Sequence, residues 1–98
     1  MRVAASAMTL GSELDIKAAV PLAAALLAAR GKDIVVEASQ VERVGAQCLQ
    51  VLLSAAATWD ADGATLAIQH PSGAFVDAVH SAGLELGQFA APLMARNG

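Results

Sequence analysis

The feature that most constrains the fold of this chain is a short β-branched run, Ile34-Val35-Val36, between Asp33 and Glu37. A strand with one exposed face alternates apolar and polar residues. A run without alternation is typical of a central strand that is covered on both faces. Helices packed on the sheet are the elements that give such cover. The run therefore predicts a sheet with helices lying on it.

The helix after this strand, predicted over about residues 45–60, has the clearest periodicity in the chain. Its apolar residues recur at positions i, i+3, i+4, i+7 and i+10 and are Leu49, Leu52, Leu53, Ala56 and Trp59. The sequence Asp60-Ala61-Asp62-Gly63 is predicted to terminate it, since Gly is the usual residue just past a helix end. We expect Leu52, Leu53 and Trp59 to be core residues.

The helix before the strand is predicted to begin after Asp15, whose carboxylate can cap backbone N–H groups, and to end at Gly31. Pro21 is placed in or near its first turn, where a missing donor is tolerated. Four apolar residues at helical spacing predict its buried face. They are Ile16, Val20, Ala23 and Leu27.

Weaker patterns complete the element order. Residues 3–14 suggest a short extended segment that turns and continues, and residues 64–69 indicate another strand. Ser72 is a plausible N-cap for a third helix that closes at Gly83, and Leu84 and Leu86 suggest a last short strand. The order β, β, α, β, α, β, α, β predicts an α/β fold with a mixed, partly parallel sheet of about four to five strands.

Length and charge narrow the classes of protein that fit. A chain of 98 residues has room for one domain, with a core expected over about residues 3–86 and a short tail over 87–98. A net charge of −3 without a cationic cluster argues against nucleic acid as a partner. We expect neither a signal peptide nor direct membrane insertion, because no apolar run is long enough. A lone cysteine, Cys48, fits a reducing, cytoplasmic setting.

No motif in the chain predicts catalysis, a cofactor or a metal. The glycines are isolated and form no phosphate-binding loop. His70 and His80 have no ligand at metal-binding spacing, and their simpler roles are a turn and a helix C-terminus. Cys48 could have a pKa lowered by a helix start, or it could be a small buried apolar residue, the commoner case. We therefore expect a protein that is not an enzyme.

The element order and several strings resemble the STAS domain, as found in anti-sigma-factor antagonists. The strings are Leu10-Gly11-Ser12-Glu13-Leu14-Asp15-Ile16, then Ile34-Val35-Val36-Glu37-Ala38-Ser39-Gln40-Val41-Glu42-Arg43-Val44, and Leu49-Gln50-Val51-Leu52-Leu53. The resemblance spans about residues 3–86. It implies a STAS-like single domain that acts by docking a protein partner.

One motif of that family is changed here. The family carries Asp-Ser-Ser-Gly-Leu or Asp-Thr-Ala-Gly-Leu at the start of the second helix. Aligning Leu49 with the motif's Leu puts Gly45 at the acidic position, Ala46 at the phosphorylated Ser or Thr, and Cys48 at the Gly. Because Ala46 has no hydroxyl, the resemblance implies no phosphorylation at this position.

The candidate partner-binding site is the loop that opens the second helix, because open α/β sheets usually bind ligands at the carboxyl ends of their strands. Its residues are Ser39, Gln40, Glu42, Arg43, Gly45, Ala46 and Gln47. For any one polar residue of this set, a solvated loop is an equally good interpretation. Ser39 and Gln40 are more simply turn residues, and Val41 and Val44 are expected to face inward.

Three functions remain open at this point. The first is a regulatory module of bacterial signalling that docks an anti-sigma factor or a histidine-kinase-like ATPase, with a chemotaxis array as a variant. The second is an accessory STAS subunit that binds the ATPase of a phospholipid-transport complex. The third is a small-ligand sensor, which would need a cavity. The fold alone does not choose among them.

Overall fold

The computed structural model describes residues 6–92 of the chain. The strands are β1 (Ser6–Thr9), β2 (Glu13–Leu14), β3 (Ile34–Glu37), β4 (Arg43–Val44) and β5 (Leu66–Gln69). The helices are α1 (Ile16–Ala28), α2 (Ala46–Asp62) and α3 (Gly73–Ser81), followed by a short 3₁₀ helix, Leu86–Phe89. The predicted α/β class is confirmed. The part of the first extended segment predicted at residues 3–5 lies outside the described residues.

The five strands form two parallel sheets rather than one mixed sheet. β3 lies between β1 and β5, with Ser6, Ile34 and Leu66 level across the three strands. β2 pairs with β4 in a two-stranded sheet. Each parallel pair encloses a helix in the intervening chain, which is the crossover that parallel strands require.

The central strand β3 is covered on one face only. Ile34 and Val36 are buried, whereas Val35 is half-buried and its neighbours across the sheet, Ala7 and Ala67, are exposed. The expectation of a strand covered on both faces is therefore wrong. The run lacks alternation because the more open face also carries an apolar β-branched residue, Val35.

α1 begins as predicted, but its buried face does not lie where the sequence pattern put it. The Asp15 carboxylate accepts hydrogen bonds from the N–H groups of Lys17 and Ala18, at 3.0 and 3.2 Å. The buried residues are Ala19, Leu22 and Leu26. Ile16, Val20 and Leu27 are exposed and Ala23 is half-buried, so the predicted stripe is wrong by about a quarter turn.

The physical reason lies in the composition of α1. Lys17 is the only charged residue between Ile16 and Ala28, so almost every side of the helix is apolar. The hydrophobic pattern of α1 therefore does not distinguish the face that packs on the core from the neighbouring apolar face. Pro21 is the sixth residue of the helix, in the second turn rather than in or near the first.

α2 and α3 follow the sequence pattern closely. Leu49, Leu52, Ala56 and Trp59 are buried, while Leu53 is half-buried and packs at the margin of the core. The indole Nε1–H of Trp59 donates to the carbonyl of Lys32 at 2.6 Å, which ties α2 to the turn before β3. α2 runs two residues beyond the predicted end, to Asp62, and Gly63 at φ 74° stops it.

The end of the described chain belongs to the core. The predicted last strand at Leu84 and Leu86 is wrong, since Leu84 lies in no strand and Leu86 begins a 3₁₀ helix. Phe89 is fully buried, with its ring edge-on to Phe75 at a centroid distance of 6.1 Å. Ala91 exchanges two backbone hydrogen bonds with Leu66, at 2.9 and 3.0 Å. The core therefore continues beyond residue 86, its expected end.

Candidate partner-binding site

The site is built where two parallel strands each lead into a helix. β2 runs into α1 and β4 runs into α2, so the parallel pairing of β2 with β4 sets the two helix starts side by side. The N–H of Gly45, the N-cap of α2, donates to the carbonyl of Leu14 at 2.9 Å. The backbones of the two helix starts are thereby joined directly.

All seven residues of the predicted site are exposed and lie on one continuous stretch of chain. Ser39 and Gln40 form a turn after β3. Glu42 directly precedes β4, and Arg43 is the first residue of that strand. Gly45 caps α2, and Ala46 and Gln47 are its first two residues. We refer to these residues, Ser39, Gln40, Glu42, Arg43, Gly45, Ala46 and Gln47, as the 39–47 surface.

Buried residues and hydrogen bonds hold the 39–47 surface in place. Val41 is buried and Val44 is half-buried, so both contact the core beneath the exposed residues. The Ser72 hydroxyl donates to the carbonyl of Val41 at 2.6 Å. From the other side, the Ser12 carbonyl accepts hydrogen bonds from the N–H groups of Glu42 and Arg43, at 2.8 and 3.0 Å. These contacts therefore hold the loop, and with it the 39–47 surface, in one conformation.

A carboxylate and an imidazole meet beside this surface, a pair that sequence reasoning missed. The Nδ1 of His70 lies 3.0 Å from Oε1 of Glu37, and the N–H of Ser39 donates to Oε2 at 3.3 Å. Hydrogen bonding by Ser39 and then by His70 lowers the pKa of Glu37. His70 takes a left-handed backbone conformation, φ 52°, which sets its ring beside β3.

The signal that could have found this pair is the register of the sheet. Glu37 and His70 are 33 residues apart, which no local motif would connect. However, Glu37 and Gln69 lie opposite each other at the carboxyl ends of β3 and β5. His70 directly follows Gln69, so it lies at the same edge of the sheet as Glu37. Together with Ser39, the pair fixes the turn from which the 39–47 surface begins.

Cys48 lies beneath the start of α2 and is closed to solvent. Its side chain is fully buried, and Sγ–H donates to the carbonyl of Asp15 at 3.4 Å. Burial, and then the charge of Asp15, raise the pKa of the thiol. The alternative of a thiol activated by the helix start is wrong, because a reactive cysteine needs a lowered pKa and access to solvent.

A groove runs from the 39–47 surface along the junction of α1 and α2. Its volume is about 310 Å³. Gln47 lies at one end, and at the other the Arg30 guanidinium pairs with Asp62 through Nε and Nη2, at 2.9 and 3.2 Å. The lining residues are Ala23, Leu26, Leu27, Arg30, Gln47, Gln50, Val51, Ser54, Ala55, Thr58 and Trp59.

Within residues 6–92, no three His, Cys, Asp or Glu side chains are grouped so that they could hold a metal ion. In the same part of the chain, no helix has the length and apolar character needed to span a bilayer.

Parallel β-α-β units with adjacent helix starts and a fixed exposed loop define a small α/β domain of the STAS type. The family model described as "Mlab, STAS domain" matches residues 1–90, and the chain belongs to this family. STAS domains generally mediate regulatory interactions between proteins and are typically not enzymes. Neither the curated proteins nor the solved structures gave a match to the chain.

Proposed function

We propose that this chain is a non-enzymatic binding module that docks a protein partner through the 39–47 surface. The observation that carries the proposal is the geometry of this surface: seven exposed residues on a loop held rigidly from beneath and from both sides. A preorganised surface loses little freedom on binding, so more of its contact energy appears as affinity. The family's general role in regulatory protein interactions supports the same conclusion.

Docking at this surface is proposed to be constitutive. Ala46 is the exposed first residue of α2 and has no hydroxyl, at the position where the resemblance places the phosphorylated Ser or Thr. The surface therefore cannot be switched by a phosphate on residue 46. Any regulation would act on the partner or at another position.

The partner is proposed to be a cytoplasmic ATPase or an anti-sigma factor. The first candidate is an anti-sigma factor or a histidine-kinase-like ATPase of bacterial signalling, with chemotaxis as a variant. The second candidate is the ATPase of a phospholipid-transport complex, with this chain as its accessory STAS subunit.

The test compares the wild-type chain with Ala46→Asp. An acid at the first turn of a helix is tolerated by the helix dipole, so the fold should stay intact. The same charge would lose its water on docking, and affinity for the partner should fall about tenfold or more. Titration calorimetry against a purified ATPase of each candidate class measures this loss and also separates the two candidates.

Ala57→Asp is the matched control, because Ala57 is also exposed on α2 but lies about 16 Å further along the helix. Its affinity should equal that of the wild type. If Ala46→Asp folds and binds as well as the control, the docking surface is elsewhere. Ala46→Ser, incubated with ATP and the candidate kinase-like partner, tests whether restoring the hydroxyl restores a phosphorylation site.

A further inference from the structure

The outer side of α1 carries an apolar stripe that the rest of the described chain leaves uncovered. Ile16, Val20 and Leu27 are 67%, 76% and 67% exposed, and they are the only exposed large hydrophobic residues within residues 6–92. With the half-buried Ala23 they follow a spacing of four, three and four residues, by which helices pack along a shared line. We call these four residues the α1 seam.

The α1 seam continues into the groove between α1 and α2. Ala23 and Leu27 belong to both. The facing wall on α2 is uncharged. It carries four polar residues, Gln47, Gln50, Ser54 and Thr58, beside the apolar Val51, Ala55 and Trp59. Within residues 6–92 the amides and hydroxyls of these side chains have no hydrogen-bond partner. The groove thus joins an apolar ridge to a row of free neutral hydrogen-bonding groups.

Charge and length decide what kind of occupant fits. Within residues 6–92, Arg30 is the only charged residue that lines the groove, and its guanidinium is already paired with Asp62. This part of the chain therefore offers no free cation to an acyl carboxylate or a phosphorylated ligand in the groove. From Ile16 to Leu27 the seam is about 16 Å long, or three helical turns, which suits an extended occupant better than a compact small molecule.

We propose that an amphipathic α-helix of the partner lies along the α1 seam, with its apolar residues on Val20 and Leu27 and uncharged polar residues against α2. This inference rests on the proposed protein-binding function, and Gln47 connects the groove to the 39–47 surface. Helix-in-groove docking has the same layout: an apolar stripe with polar flanks.

A second copy of the chain fits this groove less well than a free helix. The α1 of a second copy is packed on its own α2, so only its outer stripe could approach. A stable pair also needs about 800 Å² from each copy. That area is roughly one-seventh of the 5785 Å² surface of this chain. The three turns of the α1 seam are too short to bury that much surface.

The test uses a synthetic helix as the probe. The peptide has about 21 residues, with Leu at the two core positions of each heptad and Gln, Ala and Ser elsewhere. Trp59 is the only tryptophan of the chain and lines the groove, so its fluorescence reports occupancy. We expect a saturable change of emission that a scrambled peptide of equal composition does not give.

Two variants of α1 make the test specific to the seam. Val20→Asp places a charge in the seam and should weaken peptide binding at least about tenfold. Ala25→Asp adds the same charge at an exposed position about half a turn away and should leave affinity unchanged. Thermal melts of both variants check that the domain remains folded.

Four results would overturn the inference. They are no saturable change up to about 1 mM peptide, equal binding of the scrambled peptide, equal loss in both variants, or a wild-type dimer that Val20→Asp dissociates. The calorimetric assay with the ATPase separates this failure from that of the proposed function. If Ala46→Asp weakens that complex and Val20→Asp does not, the proposed docking through the 39–47 surface is supported. The proposed partner helix on the α1 seam is then contradicted.

Discussion

Glu37 illustrates how single residues set the pH response of this domain. Hydrogen bonds from Ser39 and His70 lower its pKa, so the folded state holds the carboxylate ionised more readily than the unfolded chain does. The resulting stability is present above the ordinary pKa of a glutamate and is lost as pH falls through the lowered value. We predict that Glu37→Gln reduces the loss of stability on acidification, measured by thermal melts from about pH 7 to about pH 3.

Glu42→Gln is the control for this prediction, since it removes the same charge from the exposed loop a few residues later. Its melting profile should follow that of the wild type across the acid range. Identical acid sensitivity in Glu37→Gln and the wild type would show that the contacts with Ser39 and His70 do not contribute to stability.

Two neighbouring leucines on α2 should differ sharply in their contribution to stability. Leu52 is 1% exposed, whereas Leu53 is half-buried at the margin of the core. We predict that Leu52→Ala costs about 2 to 5 kcal/mol of unfolding free energy, as a large-to-small change in a close-packed site does. Leu53→Ala should cost clearly less. Urea denaturation measures both, and equal losses would contradict the burial difference.

At the scale of the element, α1 contains a residue that opposes its own helix. Pro21 lies in the second turn and lacks the N–H that would bond to the carbonyl four residues earlier. We predict that Pro21→Ala stabilises the domain by about 2 to 2.5 kcal/mol, because a helix gain of about 3 is offset by about 0.4 to 1 from a freer unfolded chain.

The reciprocal change, Ala25→Pro, breaks the same helix at an exposed position and should destabilise the domain by about 3 kcal/mol or more. Chemical denaturation of the two variants beside the wild type is the measurement. A Pro21→Ala protein less stable than the wild type would mean that the ring makes a contact worth more than the restored hydrogen bond.

The elements differ in how far their sequences specify them. Caps were predictable, because Asp15 and Ser72 accept the hydrogen bonds that such side chains make at helix starts. The face of α2 was predictable too, since its polar and apolar residues are separated. The face of α1 was not, because a helix that is apolar on nearly all sides has no unique phase.

At the scale of the whole molecule, the last described residues complete the core. Phe89 is fully buried against Phe75 although it follows the expected end of the core. We predict that Phe89→Ala costs about 3 to 5 kcal/mol, a large share of the stability of so small a domain. Urea denaturation tests this, with Phe89→Leu as a milder control. A loss below about 0.5 kcal/mol would place the ring outside the core.

The site shows the same division between what the sequence could predict and what it could not. The exposed loop was predictable because polar residues and a helix start follow a buried strand. The contact of Glu37 with His70 was not, since it depends on the register of two strands 33 residues apart. The α1 seam was predicted as buried core, and only packing could show which side of α1 faces outward.

The parallel pairing of every strand also determines how this chain can fold. Among the strands of residues 6–92, no two form a hairpin, and the residues paired in each sheet lie roughly 30 positions apart. Closing a loop of this length costs chain entropy before any sheet hydrogen bond has formed to offset it. Folding should therefore be slower than for a helical bundle of equal length. During synthesis, β1 can form its sheet hydrogen bonds only after β3 has emerged. The other edge of β3 then stays unpaired until β5 follows.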